Sequence, residues 1–134
     1  MSNKSHLRAM KTKYIGIRND KKSELNDLQA DKKRLKEAID KAVNIEEEFN
    51  SEKSRYDGIE IQNNEWKGET RNKSNQKKQN LDEAIQNYKS KYEEIIDQMK
   101  NDLEELEAKI QGVETDISEL SSRISSLESQ LASD

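Results

Sequence analysis

The sequence predicts an all-α protein: a long antiparallel helical hairpin, zipped as a coiled coil. Three observations predict it. The 134 residues include no proline and only four glycines, so little breaks a helix. Apolar residues make up 30%, against roughly 45–50% in an average globular domain, too few for a round core but enough for a narrow seam. The apolar residues keep helical spacing on both sides of one central segment rich in turn formers. The expected layout is one hairpin domain over residues 1–134, with helices at about 5–56 and 70–131 and a turn at about 57–69.

The first helix rests on Leu7, Met10, Tyr14, Ile17, Leu25, Leu28, Leu35, Ile39, Ala42, Ile45 or Glu46, Phe49 and Tyr56. Steps of three, four and seven put these on one stripe. Polar residues fill the stripe near Lys21 and Lys32. Between Asp57 and Glu69 the period fails, and Asp57-Gly58, Asn63-Asn64 and Gly68 supply turn chemistry. A second stripe follows: Leu81, Ile85, Tyr88, Tyr92, Ile95, Ile96 and Met99. From Leu103 to Leu131 its steps alternate three and four without error, a strict heptad. The Ile95-Ile96 pair reads as a stutter that shifts the seam.

In an antiparallel hairpin, paired residue numbers sum to a constant. A sum near 127 centres the reversal in the turn and sets Leu28 beside Met99, Tyr14 beside Val113 and Leu7 beside Leu120. Charge agrees with this direction: residues 1–45 carry +6 and residues 81–134 carry −9, so folding back sets opposite signs together. Exposed pairs are worth little singly, but wrong pairings are repelled. Arms of roughly 50–60 residues would be about 75–90 Å long. The sum of 127 also leaves Ile124, Leu127 and Leu131 beyond the first helix. Three large side chains on one face would each gain roughly 1.5–3 kcal/mol on burial, so residues 121–131 are expected to contact another chain.

Chemistry is sparse. There is no cysteine, hence no thiolate metal site, disulfide or cysteine nucleophile. His6 stands alone, and Glu46-Glu47-Glu48 point in different directions on a helix. Lys32-Lys33-Arg34 and the group Lys67, Arg71, Lys73, Lys77 and Lys78 can answer acids across the hairpin. No glycine-rich phosphate loop occurs. The expectation is a non-enzyme without cofactor or metal. The net charge of −4 argues against a general nucleic-acid binder. No apolar run approaches the roughly 20 residues that span a bilayer. No secretory signal core follows the first residues, so synthesis in the cytosol is expected, with export only by a route that needs no cleaved signal.

The distinctive feature is Trp66-Lys67-Gly68 in the turn. A lone tryptophan there either plugs the hairpin tip or anchors a partner, since tryptophan is enriched at binding hot spots. A helical hairpin with Trp-x-Gly at its midpoint resembles the WXG (Esx-like) superfamily of type VII secretion. Glu65-Trp66-Lys67-Gly68, a basic polar helix start, Ile117-Ser118-Glu119-Leu120 and Ser126-Leu127-Glu128 bring it closest to the YwqH-like family. That resemblance implies a Gram-positive bacterial accessory that binds the helical LXG domain of a toxin and supports its export, travelling with it. Its partners would be that toxin, a second small helical protein or a second copy, with Trp66, Gly68, Ile124, Leu127 and Leu131 as contact residues. The Tyr-x-x-x-Asp/Glu pattern that follows the second helix in Esx-like partners has no match there; Tyr56 to Glu60 fits the letters but precedes the turn. A partner could complete that signal. Two other readings stand beside this one. A prefoldin-like chaperone subunit would need Ile59-Glu60-Ile61 in a strand, and a coiled-coil spacer would tolerate loss of Trp66.

Overall fold

The structure is a computed structural model that describes residues 2–58 and 69–133. It is all-α: helix α1 spans Ser2–Asp57 and helix α2 spans Glu69–Ala132. They pack against each other as a helical hairpin. Absence of proline and an abundance of Lys, Glu, Leu and Gln let each helix run without interruption. At the end of α1 the Gly58 N–H donates to the Ser54 carbonyl at 3.1 Å. Trp66 and Gly68 lie outside the described residues, as does Ile59-Glu60-Ile61; no strand occurs among the described residues.

The chain divides into two compact units, 1–36 with 102–134 and 37–101. Unit 1 pairs the start of α1 with the end of α2. Its core includes Ile110, Val113, Ile124 and Leu127, all buried. Leu7, Met10, Tyr14, Ile17, Leu25, Leu28 and Leu35 of α1 are half-buried, and so are Leu103, Leu106, Ile117, Leu120 and Leu131 of α2. Ion pairs cross between the helices, among them Lys11 to Glu128 at 3.4 Å and Lys21 to Asp116 at 3.5 Å. In both, α1 brings the cation and α2 the anion, the polarity expected from the segment charges. The Arg123 guanidinium lies over the Tyr14 ring at 5.7 Å, and Arg18 donates to the Ser121 hydroxyl at 3.5 Å.

These contacts correct the register. Their residue numbers sum to 137–139, not to 127. The shift of about ten residues is close to three helical turns, so most of the apolar stripe keeps its face and the two registers look alike from the sequence. The shift removes the expected overhang. Ile124 lies level with Tyr14 and Leu127 with Met10, and both are buried within unit 1, at 3% and 6% exposure. Leu131 is half-buried near the start of α1. The gain is physical: matching the free ends buries side chains that the other register leaves in water.

Unit 2 pairs the end of α1 with the start of α2. Ile39 and Ile96 are its buried apolar residues. The Tyr92 hydroxyl donates to the Ala42 carbonyl at 3.0 Å, Phe49 and Tyr88 rings lie 5.3 Å apart, and Lys78 sits over the Tyr56 ring at 5.5 Å. Sums here run from 134 to 137.

Candidate interaction surface

Unit 2 differs from a regular coiled coil in where its polar and apolar residues sit. With the seam positions of each heptad labelled a and d, its α1 seam is Ile39, Ala42, Glu46, Phe49, Lys53 and Tyr56. Its α2 seam is Lys78, Asp82, Ile85, Lys89, Tyr92, Ile96 and Met99. All thirteen are buried or half-buried. Five of them are charged, and the long ones can lay aliphatic stems along the interface. The apolar residues displaced from the seam stand one position earlier, at g. Ile45 is 52% exposed, Leu81 49%, Tyr88 56% and Ile95 56%.

Of the two α1 alternatives, the seam passes through Glu46 and leaves Ile45 outside. The reading of α2 is corrected. There the seam keeps one heptad through Asp82, Lys89 and Ile96, so no stutter occurs at Ile95-Ile96 and Leu81 and Tyr88 leave the seam. In an antiparallel pair the g rows of both helices flank the same side of the seam. The four exposed residues therefore form one edge of unit 2. Tyr88 organises it: its ring tilts against Phe49 of α1 and stacks at 6.2 Å on Tyr92.

Elsewhere in unit 2, Lys53, Asp57, Gln79, Asp82, Glu83, Ile85 and Gln86 line an open groove. Lys53 bridges to Asp57 at 2.8 Å. Beside it, burial first, then Asp82 and Asp57, raises the Tyr56 phenol above its usual value. The groove joins polar groups that answer one another, with no group of three metal-ligating side chains among the described residues.

The family model for YwqH-like proteins matches residues 17–129. The chain belongs to the YwqH-like family. No curated protein and no solved structure matches it. The YwqH-like match covers the whole of unit 2, including the exposed edge. Of the residues expected from sequence to meet a partner, Ile124 and Leu127 are in the core of unit 1 and Leu131 is half-buried beside them. Trp66 and Gly68 lie outside the described residues. The exposed edge at Ile45, Leu81, Tyr88 and Ile95 was not singled out. The signal was nonetheless present, as a seven-residue step from Leu81 to Tyr88 to Ile95 running beside the polar a positions Asp82 and Lys89.

Proposed function

We propose that this YwqH-like protein is a non-enzymatic helical accessory that binds the LXG domain of a type VII-secreted toxin in a Gram-positive bacterium and supports its export. Membership of the YwqH-like family over residues 17–129 carries the reading. The fold is compatible with it: a two-helix unit with an apolar edge can add to the helices of another protein and complete a four-helix bundle. No described helix is long and apolar enough to cross a membrane. The protein would be made in the cytosol and leave with the toxin, without a cleaved signal. Trp66 would serve as an additional anchor.

Co-expression tests the reading. The chain should co-purify with an LXG domain encoded beside its gene, as a complex of defined mass by light scattering, and not with an unrelated helical bundle. Trp66→Ala should weaken that complex while leaving helix content nearly unchanged. A chain that remains separate from the LXG domain when both are folded would reject the proposal.

A further inference from the structure

We infer that the g-row edge of unit 2 is a docking strip for an amphipathic helix of another protein, one whose apolar stripe is flanked by aspartate and glutamate. The inference deepens the accessory reading above by naming the surface and the chemistry of its occupant.

A helix that meets one neighbour needs apolar residues only at a and d; one that sits inside a bundle carries them at a third row, e or g. In unit 2, α2 carries the third row. Leu81, Tyr88 and Ile95 repeat every seven residues over about 21 Å of helix, and Ile45 of α1 faces the same side. Each of the four is about half exposed. The seam they border is itself weak in apolar residues, so the helix pair buries its third row only when another helix covers it.

Charge selects the occupant. The rows outside the g positions carry Lys41 on α1 and Lys77 and Lys91 on α2, all exposed. Among the described residues none of these three is in an ion pair. Arg55 in the same rows is answered by Glu52 at 3.1 Å, and Glu48 is their one acid. The apolar edge therefore has a basic rim. An isologous dimer would place this patch on itself and bring lysine rows together. A partner helix with acidic flanks meets the rim with opposite charge, which favours the right partner and repels the wrong one.

The test uses two designed helical peptides of three heptads with identical Leu and Ile stripes, one flanked by Glu and one by Lys, added to the full chain. The Glu-flanked peptide should bind and the Lys-flanked peptide should bind at least about tenfold more weakly. The double variant Leu81→Ser with Ile95→Ser should lose at least about tenfold in affinity for the Glu peptide. Lys41→Glu with Lys91→Glu should reverse the preference between peptides. Circular dichroism verifies that each variant remains helical; Ile45→Ser offers a second apolar variant if the double one unfolds. Binding that ignores flank charge, or no binding of either peptide, overturns the inference. So does self-association of the wild-type chain that the double variant abolishes, which would assign the strip to a second copy. The peptides contain no toxin sequence, so failure here leaves the accessory reading standing. An LXG complex that forms equally well with the double variant places the toxin elsewhere on the chain.

Discussion

Unit 1 and unit 2 are built from the same two helices and solve the same packing problem differently. The α2 seam of unit 1, from Leu103 to Leu131, is apolar at every a and d position, and its g row reads Asp102, Lys109, Asp116, Arg123 and Gln130. In unit 2 the assignment is inverted: charged residues enter the seam at Asp82 and Lys89, and apolar residues occupy the g row. Unit 1 keeps its large apolar side chains buried or half-buried within the pair, whereas among the described residues the exposed large hydrophobics, Ile45, Leu81, Tyr88 and Ile95, all belong to unit 2. Composition alone does not distinguish a closed pair from an open one. The heptad position of the apolar residues of α2 does.

The largest test of this contrast is truncation on each side of it. Ile124→Ala removes a side chain that is 3% exposed and should cost about 2–5 kcal/mol in denaturant unfolding. Ile95→Ala, at 56% exposure, should fall within about 0.5 kcal/mol. Equal losses would erase the distinction between the units.

How much of this was legible in the sequence follows from the same residues. The two helices and the strict heptad from Leu103 were readable because no breaker competes with the period. Helix ends expected at 5–56 and 70–131 fall at Ser2–Asp57 and Glu69–Ala132. Register was not readable, because a slide of about three turns leaves most of the apolar stripe on the same face. The choice between a seam at Leu81 and Tyr88 and one at Asp82 and Lys89 was legible only through the seven-residue step from Leu81 to Tyr88 to Ile95. Hydrophobicity favours the first. The second keeps one heptad throughout α2 and uses the stems of charged side chains.

A smaller effect sharpens the picture of unit 1. A Cβ at Gly16 or Gly112 would meet nothing within 4 Å. Gly16→Ala and Gly112→Ala should therefore each stabilise the chain by about 0.8–1 kcal/mol through helix propensity alone, readable as a higher unfolding midpoint. A loss would mean that a partner or neighbour approaches the helix at these positions.

The smallest effect belongs to unit 2 and is a pH dependence. Burial, Asp82 and Asp57 raise the Tyr56 pKa in the folded chain, above about 10 in the unfolded one. A group with a raised folded pKa contributes stability that is fully present below the unfolded value and is lost as pH rises through the folded one. The wild-type chain should lose stability above about pH 10 more steeply than Tyr56→Phe. Parallel profiles for the two proteins would show that the phenol is not held in its neutral form.

The contrast between a closed and an open pair is tested most directly by amide hydrogen exchange on the free chain, resolved along both helices. Segments 7–35 and 103–131 should exchange slowly, as a self-sufficient pair does. Segments 39–56 and 78–99 should exchange faster, because their third apolar row is about half exposed. Protection that is uniform along the helices, or stronger in 39–56 and 78–99, would contradict the account.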